Sequence, residues 1–166
     1  MMNIILIGHK SAGKTTVGTQ LAKELRLTFV DSDALLMQPH HPKQTTANFY
    51  QQVGETEFRK LESQIIQSLN LLDTIIAIGG GALQNKVNAR HLKQLGQLIY
   101  LYTPFTILTT RNKPREQQGI LANTVNPHEQ YQMRDKIYRS YADKTINCEN
   151  KSVEDIIKEI IDYDSR

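Results

Sequence analysis

An α/β fold, a parallel sheet with helices on both faces, is what this sequence predicts, and three observations predict it. Short solid apolar runs, Ile4-Ile5-Leu6-Ile7, Thr74-Ile75-Ile76-Ala77-Ile78 and Gln97-Leu98-Ile99-Tyr100-Leu101, read as strands buried on both faces. Stretches with apolar residues at helical spacing alternate with them. The first run leads into Gly8-His9-Lys10-Ser11-Ala12-Gly13-Lys14-Thr15, a full match to Gly-x-x-x-x-Gly-Lys-[Ser/Thr]. Strand, glycine turn and helix in that order form a phosphate-binding loop, because the turn points successive backbone N–H groups inward and the new helix adds its positive end.

The elements follow in order. Val17, Leu21, Ala22 and Leu25 form the buried stripe of the first helix, and Thr28-Phe29-Val30-Asp31 is a short second strand running into Asp31-Ser32-Asp33. Between Gln38 and Thr46, Pro39 and Pro42 break the chain into a loop. Gly54 precedes a helix whose stripe is expected to be Phe58, Leu61, Ile65 and Leu69, with Glu55, Glu57, Arg59 and Lys60 off it. The strand Thr74–Ile78 ends in Gly79-Gly80-Gly81. From Arg111 to Asn126 the sequence is polar and aperiodic and reads as a mobile loop. Thr145-Ile146-Asn147 is a candidate last strand, and Ser152 with Asp155 caps a final helix lined by Val153, Ile156, Ile157, Ile160 and Ile161.

At 166 residues and 39% hydrophobic content the chain is expected to be one domain spanning 1–166. A net charge of +3 is too small to argue for nucleic acid or an anionic membrane as partner. Cys148 is the only cysteine, which excludes an intrachain disulfide or a cysteine metal cluster and suits an inert residue at a strand end. The first apolar run is shorter than a signal-peptide core and no stretch approaches a membrane span, so the expected location is the cytoplasm.

Within the loop, Lys14 is placed to reach the outer phosphates and Thr15 to bind Mg²⁺. The acid that completes such a site comes from the second strand: Asp31 and Asp33 lie beyond its carboxyl end, where open α/β sheets bind ligands, whereas Asp73 precedes the third run and falls at the opposite end. Two carboxylates at that spacing divide the work between Mg²⁺ and a substrate hydroxyl, or else cap a helix and shape a turn.

The loop Gly8 to Thr16, Phe29-Val30-Asp31-Ser32-Asp33, Gly54-Glu55-Thr56-Glu57-Phe58-Arg59-Lys60-Leu61-Glu62 and Ile78-Gly79-Gly80-Gly81-Ala82 together resemble the shikimate kinase family over nearly the whole chain. The resemblance implies a nucleoside-monophosphate-kinase-like P-loop fold with a five-stranded parallel sheet, substrate-binding helices over about 33–62 and a mobile lid over about 112–126. It also implies transfer of the ATP γ-phosphoryl group to the 3-hydroxyl of shikimate, with Mg²⁺, by a monomer. ATP would be held by Gly8, Ser11, Ala12, Gly13, Lys14, Thr15 and Thr16, with Arg111 on adenine. Asp33 would meet the ring hydroxyls and accept a proton, while Asp31 steadies Mg²⁺ through water. Arg59 and Arg134 would clamp the carboxylate as paired guanidinium forks. Gly79, Gly80 and Gly81 would let substrate approach the backbone, and Phe49 and Tyr50 would wall the ring.

The chain departs from the family pattern in places. Lys136 and Ile137 stand where the family has Pro and Leu after the arginine matched by Arg134. The lid segment Arg-Pro-Leu-Leu falls on Gln118-Gly119-Ile120-Leu121, so Gln118 replaces the lid arginine and Arg115 is the nearest substitute. Met37 and Gln38, then His40, His41 and Pro42, replace an acid and a glycine-centred turn. Two alternatives stay open beside shikimate phosphorylation: a kinase for another small hydroxylated acid, and a nucleotide-binding protein of low turnover.

Overall fold

A computed structural model describes residues 3–38, 45–112 and 126–164. Five strands form one parallel sheet in the order β2-β3-β1-β4-β5, where β1 is Asn3–Ile7, β2 Thr28–Asp31, β3 Thr74–Ala77, β4 Gly96–Tyr102 and β5 Lys144–Asn147. All four pairings are parallel, and β1 lies at the centre with Ile5 opposite Ile76 on one side and Leu98 on the other. The strand and sheet expectations hold, with Asn3, Gly96, Tyr102 and Lys144 added at strand ends.

Eight helices connect or flank the strands among the described residues: α1 Lys14–Leu25, α2 Ser32–Met37, α3 Thr46–Val53, α4 Glu55–Ser68, α5 Lys86–Leu95, α6 Phe105–Asn112, α7 Pro127–Tyr141 and α8 Val153–Asp164. Alternate side chains of each strand enter different cores, as the pleat requires. On one face Ile4, Leu6, Ile75, Ile99 and Ile146 pack with Val17 and Leu21 of α1 and Ile156, Ile157 and Ile160 of α8. On the other, Ile5, Ile76, Leu98 and Tyr100 pack with Ile66 of α4, Leu92 of α5 and Tyr138 of α7. A third cluster, Leu36, Met37, Phe49 and Phe58, binds α2, α3 and α4 to one another.

Burying the side chains of β1, β3 and most of β4 is worth on the order of 2 kcal/mol per large aliphatic residue. That supplies the reason the apolar runs are unbroken rather than alternating. The amino-terminal ends of the strands are tied by one side chain: Asn3 donates to the Leu95 carbonyl at 2.9 Å and accepts from the Thr74 N–H at 3.0 Å.

The connections run to opposite sides from the centre of the sheet. The segment after β1 crosses to β2 at one edge, while the segment after β3 returns past β1 to β4. The carboxyl ends of β1 and β3 therefore flank a crevice, the place where open α/β sheets take ligands.

Two expectations are corrected. The buried stripe of α4 is Phe58, Glu62, Ser63 and Ile66, with Leu61 and Ile65 only partly covered. The stripe is rotated because α4 packs on α5 through a polar network, Ser63 Oγ donating to Asn88 Oδ1 at 2.6 Å and Gln67 Nε2 to Ser63 Oγ at 2.7 Å. Both ends of the loop expected from Arg111 to Asn126 are revised: Arg111 and Asn112 belong to α6, and Asn126 caps α7 by accepting from the His128 N–H, with Pro127 in the first turn, while residues 113–125 lie outside the described residues. Arg115, Gln118, His40 and His41 lie outside the described residues.

Candidate active site

The loop after β1 has the conformation that its glycines permit. Gly13 sits at φ 92° and Gly8 at φ 148°, and a Cβ on Gly8 would stand 2.9 Å from the Leu101 carbonyl of β4. Ser11 adopts φ 66°, so the turn His9–Ala12, closed by the Ala12 N–H donating to the His9 carbonyl at 3.2 Å, folds back toward the sheet. Lys14 Nζ donates to the carbonyls of Gly8 and His9, both at 2.9 Å. The residue is half-buried, yet its ammonium end is enclosed, and that desolvation lowers its pKa to about 8 against the pull of Asp33 and Asp31.

Ala12 is buried, Thr15 and Thr16 are exposed in the first turn of α1, and Arg111 at the end of α6 donates to the Ser11 carbonyl at 3.2 Å. All eight residues expected to meet ATP therefore lie around one loop.

Strand β2 delivers the acids. Asp31 does two jobs: Oδ1 accepts from the Asp33 N–H at 2.9 Å and caps α2, while Oδ2 accepts from the Thr15 hydroxyl at 2.8 Å. The cap reading of Asp31 holds, and its second oxygen is left facing the Thr15 hydroxyl. Thr15 and Asp31 put hard oxygen donors side by side at the mouth of the loop, a set that suits Mg²⁺ bound chiefly through nucleotide phosphates and water. Asp33 turns inward. Its carboxyl is raised above the ordinary range by burial and by the neighbouring Asp31, with Lys14, Lys10 and Arg59 opposing.

The glycine turn after β3 forms the floor, with Ser32 Oγ accepting from the Gly79 N–H at 2.9 Å. A Cβ on Gly79 would stand 2.6 Å from Asp33 Oδ1, and one on Gly81 would overlap the Arg59 guanidinium. The glycines thus leave room for the chain's own Asp33 and Arg59. Gly80 is held from above by Tyr138, whose hydroxyl donates to the Gly80 carbonyl.

Two arginines converge on that floor from different helices. Arg59 donates from Nη1 to Glu62 Oε2 at 2.8 Å and lies 5.4 Å from the Phe58 ring and 6.0 Å from the Tyr50 ring. The ion pair that a surface helix would show is present, but Glu62 is only 5% exposed and its pKa is raised by burial. Phe49 belongs to the core beneath rather than to the wall, while Tyr50 faces Arg59. Arg134 comes from α7 despite the altered residues that follow it. Its pKa is lowered by burial, it feels Tyr138, Arg59 and Glu62, and its Nε is buried without a hydrogen-bond partner among the described residues. A buried guanidinium with an unsatisfied donor is costly unless an anion completes it.

Sequence reasoning missed three contributors. Glu62 figured as the last residue of the segment from Gly54 to Glu62, and its burial shows up only once α4 is seen packed. Tyr138 gave no signal apart from following Arg134. His9, 6% exposed, stacks on Tyr131 with centroids 4.3 Å apart and meets Tyr138 edge-on at 5.0 Å, joining the phosphate loop to α7. Burial first, then Arg134 and Lys14, push its pKa down to about 4, so it is neutral at physiological pH.

Known proteins match this arrangement along most of its length. A family model for shikimate kinase matches residues 10–164. The shikimate kinase of Enterococcus faecalis is 33% identical over 165 residues, covering 97% of this chain and 97% of its own. In three dimensions the shikimate kinase from Acinetobacter baumannii in complex with shikimate superposes with a TM-score of 0.87 at 32% identity, over 98% of this chain and 92% of that one. The shikimate kinase from Aquifex aeolicus gives 0.79 at 28% identity, over 96% and 94%.

Proposed function

The chain belongs to the shikimate kinase family, and from that premise we propose that it transfers the γ-phosphoryl group of ATP to the 3-hydroxyl of shikimate. The observation that carries the acceptor side is the pair Arg59 and Arg134: Arg59 is ion-paired to Glu62, while the buried Arg134 Nε has no hydrogen-bond partner among the described residues. A small carboxylic acid supplies the second anion. Guanidinium forks orient a planar carboxylate, and Asp33 beside Gly79 then faces a ring hydroxyl.

Each residue has a defined task in the transfer. The N–H groups of the loop from Gly8 to Thr16 and the Lys14 ammonium hold the phosphates, and Arg111 borders the nucleotide where it meets Ser11. Thr15 and Asp31 are the side chains that would hold Mg²⁺, which supplies positive charge beside the phosphates. Asp33 accepts the proton of the 3-hydroxyl as its oxygen attacks the γ-phosphorus. The bond from that phosphorus to the bridging oxygen breaks, its electron pair leaves on ADP, and the products are ADP, shikimate 3-phosphate and one proton. A carboxylate with a raised pKa is a stronger base than a solvated one, which suits it to this step. The domain works as a single unit over 1–166, as a monomer in the cytoplasm, and no described helix is long and apolar enough to cross a membrane.

Incubation with ATP, Mg²⁺ and shikimate, followed by mass spectrometry and ³¹P NMR, tests the reading. ADP and a phosphomonoester on the 3-oxygen are expected in equal amounts. ADP formation with another hydroxylated acid but none with shikimate would assign the site to a different acceptor, and tight ATP binding without turnover of any acid would make it a binding protein.

A further inference from the structure

We propose that Lys10, at the apex of the phosphate loop, is a catalytic residue whose ammonium contacts the phosphoryl group during transfer; the proposal rests on the kinase reading above. Lys10 occupies the second position of the turn His9–Ala12, is exposed, and has no hydrogen-bond or ion-pair partner among the described residues. Its backbone N stands 3.5 Å from where a Cβ on Gly80 would be, while Asp33 Oδ1 stands 2.6 Å from the equivalent point on Gly79. The Lys10 backbone and the Asp33 carboxylate thus border successive residues of one glycine turn.

Lys14 differs in kind. Its Nζ is already bonded to the Gly8 and His9 carbonyls, inside the loop, where it meets phosphates from the β1 side. A phosphoryl group in flight spreads charge over three equatorial oxygens, and catalysis of such transfers is mostly positioning and charge stabilisation. A compact ammonium on a flexible stem, free of any partner, can follow that group from donor to acceptor as a point charge. Its field already reaches the acceptor side, because Lys10 is among the cations that draw the Asp33 carboxyl down against burial and Asp31.

The test compares wild-type protein with Lys10→Met and Lys10→Arg, measuring kcat, both KM values, ADP affinity by calorimetry, and melting temperature. Lys10→Met is expected to lower kcat at least tenfold, to leave ADP affinity within twofold and melting unchanged, and to move the acid limb of the kcat/KM profile to higher pH. Lys10→Arg should recover most of kcat. A kcat within twofold of wild type in Lys10→Met, with wild type active on shikimate, overturns the role of Lys10 and leaves the kinase reading intact. A loss confined to ADP affinity makes Lys10 a ground-state nucleotide contact and also overturns it. Wild type inactive on shikimate overturns both.

Discussion

The phosphate loop and the acceptor pocket share one crevice but are built on different principles. The loop is made by backbone: eight consecutive residues, a strand before and a helix after, with donors fixed by two left-handed glycines and by Ser11. Its charged side chain, Lys14, bonds to the loop itself. The acceptor pocket is made by side chains from α2, α4, α7 and the turn after β3, and its charges are buried and incompletely matched. Asp33 and Glu62 are both pushed toward protonation, and the Arg134 Nε has no partner among the described residues. The difference teaches where generality and selectivity reside. A backbone cradle accepts any polyphosphate, whereas a set of strained, unmatched charges waits for one particular complement.

The comparison breaks most visibly at Lys14. Lys14→Ala should reduce kcat by at least about 10²–10³-fold and weaken ATP binding, with an unchanged circular-dichroism spectrum, because the residue holds phosphates rather than core. Retained turnover would remove the phosphate loop from the account. On the acceptor side Asp33→Asn should lower kcat by about 10²–10⁴-fold, the scale of a lost general base, while ADP affinity stays near wild type. Its stability should move the other way. The folded protein binds the Asp33 proton more tightly than the unfolded chain, so the native state loses stability as pH rises through the raised pKa. Asparagine escapes that loss, and the melting temperature of Asp33→Asn should exceed wild type at neutral pH, with the gap closing below the ordinary aspartate value of about 3.9.

Arg59→Lys keeps charge and loses the fork. It should weaken acceptor binding by about 1–3 kcal/mol without altering ADP affinity, read as a rise in acceptor KM. The smallest effect concerns protons at the loop. Lys14 in the free protein titrates at about 8 instead of the lysine value of 10.5, and bound phosphate favours its charged form. Between those two values nucleotide binding must take up a proton, so affinity should fall by up to about tenfold per pH unit above 8. Calorimetry in buffers of different ionisation enthalpy measures the uptake directly, and zero uptake at pH 9 would mean that Lys14 stays charged in the empty loop.

The same division decides what was legible in the sequence. The loop could be read residue by residue because its function depends on contiguous backbone: Gly8, Gly13, Lys14 and Thr15 are both motif and geometry. The three central strands β1, β3 and β4 were legible because burial on both faces demands unbroken apolar runs. Of the pocket, Asp33 was legible from its place at the carboxyl end of the second strand, whereas Arg59 and Arg134 came only through the resemblance, without their partners. Nothing in the sequence around Glu62 announces that α4 turns it inward, since that rotation comes from Ser63 and Gln67 meeting Asn88 on a separate helix. The helix α7 shows weak amphipathicity, with Tyr138 as its single fully buried side chain, so its pattern gave no stripe to read. That Gly79 and Gly81 also leave room for Asp33 and Arg59 was not legible, because it belongs to tertiary packing.

Calorimetric titration of shikimate and of ADP into wild-type protein and into Arg134→Met tests the separation of the two regions most directly. Because the buried Arg134 Nε has no hydrogen-bond partner among the described residues, shikimate affinity should fall at least about tenfold in the variant, the scale of one lost charge-assisted hydrogen bond, while ADP affinity changes less than about twofold. Equal losses for the two ligands, or undiminished shikimate binding, would contradict an acceptor pocket defined by its own unmatched charges.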